Sequence, residues 1–291
     1  MESTKARMQH IGSALSGFWR RVPLAIRAIA TGVLVAEIGI STWMASLMLV
    51  PGIWPLVVMA GALWAFCAYF GGSWWPKATR EIRRKRFRAL KLPRAVWTWS
   101  LSAAMLFVVV AQSSFVLAFR FVEFPAELFN QGLGFDDIPP WIAWMFIVMS
   151  ALVAGICEEV GFRGYMQVPL EKRYGPRVAI AITSLMFVIL HLNQAWAPLL
   201  LFHLFALGAL WGILAHAAGS LIPSIVSHVV VDVFSFAYWW SDVAGRFEKR
   251  PLAETGIDTH FVVWSLVFGV SLASFVWTLH KTHVARQRSA D

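Results

Sequence analysis

The chain has 291 residues, of which 58% are hydrophobic and only 14% are charged. Soluble globular domains carry roughly 25% charged residues, so much of the surface of this protein must face an apolar solvent. The 16 Trp and 22 Phe residues agree with this, because aromatic residues gather at membrane interfaces. The composition therefore excludes a large soluble protein and indicates an integral membrane protein.

Apolar windows of roughly 20 residues, the length that crosses a bilayer as a helix, recur along the chain. They predict an all-α, polytopic transmembrane bundle with six to eight spans, eight being favoured. The segment 1–22 is polar and basic and lacks a signal-peptide cleavage site, so it is expected to be cytoplasmic or interfacial. The eight windows are 24–49, 53–72, 97–119, 140–162, 178–194, 198–217, 220–239 and 260–280.

The net charge is +9, and most basic residues fall between the apolar windows. With eight spans the basic segments share one side, which the positive-inside rule makes cytoplasmic together with both termini. The acidic segment 121–139 then lies on the opposite side. The dense basic run 77–94 is interpreted as a topology signal or a contact with anionic lipid, and no nucleic acid partner is expected. The basic segments are the N-terminal tail, residues 77–94, residues 164–177 and the C-terminal tail.

Ionisable side chains inside membrane spans are costly and usually functional, and one group of them is the run Glu158-Glu159-Val-Gly-Phe-Arg163. On an α-helix Glu159 and Arg163 lie four residues apart on one face, which favours an ion pair. Glu158 points about 100° away. Pairing of one carboxylate with a cation leaves the other available for proton transfer. A helix end that reaches cytoplasmic water would explain such a pair equally well.

Two further groups follow on separate apolar helices. His191 lies four residues after Phe187, and His228 lies four residues before Asp232. A histidine in an apolar helix can be a hydrogen-bonded core residue, and His228 with Asp232 could form an oriented pair or face shared water. Carboxylates and histidines on three separate helices together favour one hydrated cavity in which a water is activated.

Other polar residues in the apolar windows carry no motif. Cys67 and Cys157 lack a CxxC or metal-type spacing and are interpreted as membrane-buried thiols. His203 is interpreted as structural. Glu37 has no motif, and Arg27 or Arg120 is suggested as its partner.

The order EExxxR, FxxxH and HxxxN/D, with Gly208 and Gly212 forming a GxxxG run before the last, resembles the CAAX-protease and bacteriocin-processing family. This is the family of the Rce1-type prenyl-protein endopeptidase. The similarity covers roughly residues 140–240, about a third of the chain. It implies an all-helical intramembrane endopeptidase.

The resemblance also implies roles for the residues that match the family motifs. Glu158 would be the general base that activates a water together with His191. His228 and Asp232 would line the oxyanion side or hold the water, and Glu159 with Arg163 would support the site. Family members often have Asn where this chain has Asp232, and an ionised Asp cannot donate to an oxyanion. Asp232 must then be protonated, orient His228 or bind a metal.

Metal dependence is left open by the residues. His191, His228 and Glu158 could hold Zn²⁺, which lowers the pKa of bound water to about 7. The zinc motif HExxH and the serine-hydrolase motif GxSxG are both absent from the sequence. The favoured mechanism is a metal-free glutamate mechanism that needs no cofactor, with Zn²⁺ as the alternative.

Two rival functions are a non-catalytic family member, acting as a scaffold or in bacteriocin immunity, and an ion- or proton-coupled transporter. The first should have lost a site residue, and the second should show an inverted repeat or paired broken helices; the sequence shows neither feature. The expected partners are a peptide or membrane-protein substrate and the lipid bilayer, and the sequence does not predict an oligomeric state.

The apolar windows, the charged segments and the resemblance over 140–240 together divide the chain into four parts. The protein is expected in the plasma or inner membrane of a bacterium, or in the endoplasmic reticulum of a eukaryote. The parts are the N-terminal segment 1–22, the accessory helices 23–139 with the basic loop 73–96, the catalytic core 140–240, and the outer loop, last helix and basic tail 241–291.

Overall fold

The computed structural model describes residues 17, 19, 21–122, 138–192, 198–240 and 250–289. Within these ranges the chain is almost entirely helical and contains no strand, so the all-α class is confirmed. Most of the predicted interfacial segment 1–22 and of the acidic segment 121–139 lies outside the described residues.

A helix occupies each of the eight predicted windows. Because lipid offers no hydrogen bonds to the backbone, an apolar segment that crosses it must satisfy its own amide groups as a helix. In chain order the elements are α1 (Leu24–Leu49), α2 (Trp54–Phe70), a 3₁₀ turn (Lys77–Thr79), α3 (Arg80–Phe87), α4 (Arg94–Ala118), α5 (Pro140–Glu158), a π-helical segment (Glu159–Met166), α6 (Gln167–Tyr174), α7 (Pro176–Leu190), α8 (Pro198–Ala218), α9 (Ile222–Trp240), α10 (Leu252–Thr255) and α11 (Thr259–Arg288).

Not all of these helices are long enough to cross a bilayer alone. Five stretches of the described residues are long and apolar enough, and the other apolar helices, α2, α7 and the described part of α9, are shorter. A helix of 15 residues such as α7 extends only about 22 Å, against a hydrocarbon core of about 30 Å. The membrane bundle is therefore supported, while eight full spans stays a prediction. The five stretches are Leu24–Leu49, Arg94–Ala118, Pro140–Tyr174, Pro198–Ala218 and Thr259–Arg288.

Proline and glycine mark where several helices begin and end. Pro139 and Pro140 open α5, and Pro176 opens α7, where a missing amide proton costs nothing because the first turn has no acceptor for it. Gly175, with φ +81°, separates α6 from α7 in a conformation that only glycine adopts readily. The helical stretch that begins at Pro140 consequently continues to Tyr174, well beyond the predicted window 140–162.

Three of the predicted basic segments meet at one end of the bundle, which we call the basic end. Arg88, after α3, forms an ion pair with Glu171 of α6 at 3.4 Å. Arg286, near the end of α11, donates a hydrogen bond of 2.6 Å to the carbonyl of His216 in α8. His216 in turn lies 3.0 Å from Glu171. That these segments share one end is consistent with the loop charges; that this end faces the cytoplasm stays a prediction.

The opposite end of the bundle is held by Arg120, just after α4. Its buried guanidinium donates to both carboxylate oxygens of Asp258, at 3.0 and 2.8 Å, and to the hydroxyl of Thr255 at 2.6 Å. The donation from Arg120, joined by the backbone N–H of Phe261, holds the pKa of Asp258 well below its usual range. Helices α4 and α11 are therefore tied together at the end away from the basic loops.

Helix α1 packs directly against the π-helical segment. An ideal Cβ at Gly161 would lie 2.5 Å from the carbonyl oxygen of Gly32 and 2.8 Å from the Cβ of Ala36. One at Gly39 would overlap the Cys157 side chain. The two helices approach this closely because these positions carry no side chain. The first helix of the part predicted as accessory therefore supports the segment that follows α5.

Gly161→Ala is expected to lower the free energy of unfolding by about 1–3 kcal/mol, because the new methyl group would meet backbone atoms of α1. Unfolding by detergent titration in mixed micelles measures the change. Gly269→Ala is the matched control, since Gly269 of α11 has no atom within 4 Å of an ideal Cβ. Equal stability of the two variants would contradict the close contact between α1 and the π-helical segment.

Candidate active site

The π-helical segment brings charged residues into the interior of the bundle. It interrupts the long helix between Pro140 and Tyr174, directly after Glu158. Glu158, Glu159 and Arg163 are all buried. Single π turns widen a helix locally and are frequent at functional sites. The sequence pattern predicts an ordinary α-helix for this stretch.

Six side chains from three stretches of helix meet here, and we call them the carboxylate–histidine cluster. They come from the α5–π junction, from the end of α7 and from α9. Each was a candidate in the sequence analysis, and the structure brings all of them together. The members are Glu158, Glu159, Arg163, His191, His228 and Asp232.

Glu158 lies between the two histidines. Its Oε1 is 3.9 Å from Nε2 of His191, and its Oε2 is 3.9 Å from Nε2 of His228. These distances are too long for direct hydrogen bonds, and polar groups at such a separation are commonly joined by a water. Oε2 is buried and finds no hydrogen-bond partner within the described ranges. A buried, unpaired carboxylate oxygen calls for a partner, which a water or a substrate group would supply.

His191 lies at the C-terminal cap of α7. Its Nδ1 is 2.8 Å from the carbonyl oxygen of Phe187. Because a carbonyl can only accept, Nδ1 carries the proton, and Nε2 of the neutral ring is left as an acceptor on the side of Glu158. The imidazole also stacks on the Phe187 ring, with centroids 4.2 Å apart and planes at 26°. The FxxxH spacing therefore sets both the tautomer and the orientation of His191.

His228 is oriented by Glu159. Its Nδ1 lies 2.9 Å from Oε1 of Glu159, so the proton on Nδ1 is donated to that carboxylate and Nε2 faces Glu158. Trp211 of α8 stacks on the His228 ring at 3.9 Å and 15°. The indole of Trp211 is itself held by a hydrogen bond of 3.2 Å to the hydroxyl of Ser227. A hydrogen bond at one ring nitrogen and stacking on the ring face leave His228 little freedom to rotate.

Asp232 contacts His228 less closely than Glu159 does, and which of its three predicted roles applies stays a prediction. Its Oδ2 is 3.6 Å from Nε2 of His228, beyond hydrogen-bond distance. The carboxylate that holds the imidazole is Glu159, and it acts through Nδ1. Asp232 thus lies on the same side of the ring as Glu158, where a water or substrate would also approach.

Arg163 is the buried cation of the cluster. Its Nη1 is 2.9 Å from Oε1 of Glu159, and its Nη2 donates a 3.0 Å hydrogen bond to the carbonyl of Gly208. The guanidinium also lies over the rings of Phe187 and Trp211, at 5.1 and 5.5 Å from their centroids, close enough for cation–π attraction. The pair formed with Glu159 is fully buried, so a helix end in water does not account for it.

The GxxxG run packs α8 against the helices that carry the cluster. An ideal Cβ at Gly208 would lie 3.3 Å from Cα of Ser184 in α7, and one at Gly212 would lie 3.0 Å from the side chain of Gln167. Gln167 donates a 3.0 Å hydrogen bond to the carbonyl of Gly212, which repeats the contact of Arg163 with Gly208 one turn away. The glycines therefore allow close approach and expose backbone carbonyls to buried donors.

A bound metal ion needs several ligand side chains that converge on one point. Within the described ranges, no three or more His, Cys, Asp or Glu side chains are arranged to hold a metal ion. His191, His228 and Glu158 therefore do not form a ready zinc site in this arrangement. Whether zinc takes part in the reaction stays a prediction.

One histidine and the two cysteines of the apolar windows lie outside the carboxylate–histidine cluster. His203 Nδ1 is 3.4 Å from the hydroxyl of Ser114, which joins α8 to α4 and agrees with a structural role. Cys67 and Cys157 are free thiols, and Cys157 is buried. None of these residues contributes a side chain to the cluster.

Glu37 forms no ion pair with Arg27 or Arg120, its two suggested partners, within the described residues. The guanidinium of Arg120 donates hydrogen bonds to Asp258 at the end of the bundle opposite the basic end. Glu37 is partly buried in α1 and has no ion pair within the described ranges.

Comparison with known proteins places the cluster in a family. Residues 139–234 match a family model described as type II CAAX prenyl endopeptidase Rce1-like. Over this third of the chain, the match supports membership of the CAAX-protease and bacteriocin-processing family. The match begins just before α5 and ends within α9, so the CAAX-protease core contains the whole cluster. No curated protein and no solved structure matches the chain. Membership of a protease family supports a membrane hydrolase that acts on peptides.

Proposed function

We propose that the chain is an intramembrane endopeptidase of the CAAX-protease type, which hydrolyses a peptide bond with a water activated by Glu158 and His191. The observation that carries the proposal is the position of Glu158, with its two carboxylate oxygens each 3.9 Å from a different histidine. The family match to a prenyl endopeptidase supports the reaction class.

In the first step Glu158 acts as the general base. A water held between its carboxylate and Nε2 of His191 gives one proton to Glu158, and the oxygen adds to the carbonyl carbon of the substrate. A positioned base contributes typically 10²–10⁴-fold to the rate. His191 can accept a hydrogen bond from the same water because its proton is on Nδ1.

The negative charge then moves to the former carbonyl oxygen. His228 donates to this oxyanion from Nε2 when the imidazole carries both protons, and Glu159 with Arg163 holds the ring in place. Collapse of the tetrahedral intermediate breaks the carbon–nitrogen bond, and Glu158 returns its proton to the leaving amine. The products are a carboxylic acid and an amine, so atoms and protons balance without a cofactor.

Asp232 is proposed as a second donor to the oxyanion, in its protonated form. Asp232→Asn is then expected to keep the cleavage rate within about tenfold of wild type, because a side-chain amide can donate from the same place. Asp232→Ala should lower the rate by roughly 10²-fold, the usual effect of removing one oxyanion donor. A loss as large in Asp232→Asn as in Asp232→Ala would show that the carboxylate itself is needed.

Cleavage of a broad peptide library by the purified full chain in liposomes, read by mass spectrometry, tests the function. Wild type is expected to cleave peptides of the library, and Glu158→Ala is expected to leave them intact. If folded wild type and Glu158→Ala give the same products, the protease proposal fails, and a scaffold or transporter becomes the better account.

A chelator arm separates the two water-activating mechanisms. Activity that survives 1,10-phenanthroline supports the metal-free glutamate mechanism. Activity that is lost with chelator and restored by added Zn²⁺ would contradict the metal-free mechanism.

A further inference from the structure

A second polar site lies at the basic end of the bundle, away from the carboxylate–histidine cluster. It is a cavity of about 390 Å³, open to the outside between α3, α6, the α8–α9 turn and α11. Five cations and two carboxylates line it. The lining residues are Glu81, Arg84, Lys85, Arg88, Leu90, Val168, Glu171, Lys172, Gly219 and Arg286.

The charges in this cavity do not cancel. Glu81 pairs with Lys85 at 3.6 Å, and Glu171 pairs with Arg88 at 3.4 Å. Within the described part of the chain, the remaining cations, Arg84, Lys172 and Arg286, have no carboxylate partner. Three uncompensated positive charges around one cavity attract an anion.

Arg286 is held against the cavity wall by the backbone. Gly219, with φ +71°, forms the turn after α8, and an ideal Cβ there would lie 2.7 Å from the guanidinium carbon of Arg286. The arginine therefore lies flat on this turn, and it donates to the carbonyl of His216. Its remaining N–H groups are available for a ligand.

The cavity lies at the depth where apolar helices end. Gly219 directly follows α8, and the Cγ of Arg84 would be 2.8 Å from an ideal Cβ at Gly72, two residues beyond α2. Trp74 and Trp75 beside it are exposed, as expected of aromatic residues at a membrane interface. Leu90, on the cavity rim, is also exposed. Phospholipid headgroups occupy this depth.

We propose that this cavity binds the phosphate headgroup of an anionic membrane phospholipid. Arg84, Lys172 and Arg286 contact the phosphate oxygens, and the acyl chains run along the apolar surface below. Arginine and lysine at such a position attract anionic lipid, and the guanidinium of Arg286 can bind phosphate with two parallel hydrogen bonds. Neither the proposed protease chemistry nor the family match assigns this site.

The test counts lipids bound to the purified full chain by native mass spectrometry and does not depend on proteolysis. Phosphatidylglycerol and phosphatidylcholine with identical acyl chains are titrated separately. The double variant Arg84→Gln/Lys172→Gln removes two cavity cations. The control Arg80→Gln/Arg173→Gln removes two cations from the same helices, α3 and α6, outside the cavity lining. All four side chains are exposed, so folding should be preserved.

Wild type and the control should bind phosphatidylglycerol in preference to phosphatidylcholine. The cavity variant should bind it about 25-fold more weakly, because each cation near an anionic lipid contributes roughly fivefold. Equally weakened binding of phosphatidylglycerol by both double variants would overturn the proposed site and indicate diffuse attraction by surface charge. Equal binding of the two lipids by wild type would overturn the proposed preference for an anionic headgroup. Displacement of the lipid by micromolar inorganic phosphate or by an acidic peptide would assign the cavity to a soluble ligand instead.

Discussion

Glu158→Gln is expected to lower the rate constant for peptide cleavage by roughly 10²–10⁴-fold while the protein stays folded. Glutamine has the same shape as glutamate but cannot take a proton from water at neutral pH. Substrate binding should change little, since the contacts made by the rest of the site are preserved. The measurement is single-turnover cleavage, in liposomes, of a peptide selected from the library, which separates the chemical step from binding.

The matched control is Glu37→Gln. Glu37 is also an acid within an apolar helix, but it lies outside the carboxylate–histidine cluster, so its variant should cleave at the wild-type rate. Full activity of Glu158→Gln would assign the base elsewhere in the cluster. A similar loss in both variants would indicate a general effect of removing intramembrane charge, and not a base at Glu158.

The helices could be predicted from the sequence because lipid permits few alternatives. Every predicted apolar window contains a helix, since a backbone in hydrocarbon must satisfy its own hydrogen bonds. Two predicted boundaries were too early: the last helix continues past residue 280 to Arg288, and the larger error is at residue 162. There the chain becomes polar, yet the helix continues to Tyr174: Arg163 is buried among other helices, whereas Lys172 and Arg173 are exposed. Hydropathy alone cannot distinguish a polar residue in water from one that is paired inside a bundle.

The membership of the cluster was predictable because charged residues in apolar windows are rare. The contacts within it were not. That Glu159 orients His228 depends on how α9 packs on the π-helical segment, a long-range contact without a local signal. Trp211 is one of 16 Trp residues, and nothing in its neighbours marks it as the one that stacks on His228.

The sequence indicates the π-helical segment only indirectly. Gly161 and Gly164 lie within it, and an ideal Cβ at Gly164 would be 2.6 Å from the carbonyl oxygen of Arg86. Two glycines in a helix that carries charged residues indicate close backbone approach. They do not specify a change of hydrogen-bond register from i→i+4 to i→i+5, which follows from packing on both sides.

Arg163→Ala is expected to lower the free energy of unfolding by about 3–5 kcal/mol, the usual effect of removing one partner of a buried ion pair. The substitution leaves Glu159 without its cation and the carbonyl of Gly208 without its donor. It also removes the cation that lies over Phe187 and Trp211, the two rings that stack on the histidines. Detergent titration with tryptophan fluorescence measures the loss, and Arg173→Ala on the exposed face of α6 is the control.

Arg163→Lys should recover only part of this stability. An ammonium can pair with Glu159, but it lacks the planar fork that reaches Glu159 and Gly208 together. The double variant Arg163→Met/Glu159→Leu removes both charges and should unfold less easily than Arg163→Ala, because no buried charge is left unpaired. If the free-energy losses of Arg163→Met and Glu159→Leu simply add, the two side chains are not coupled, and the buried ion pair between them does not stabilise the fold.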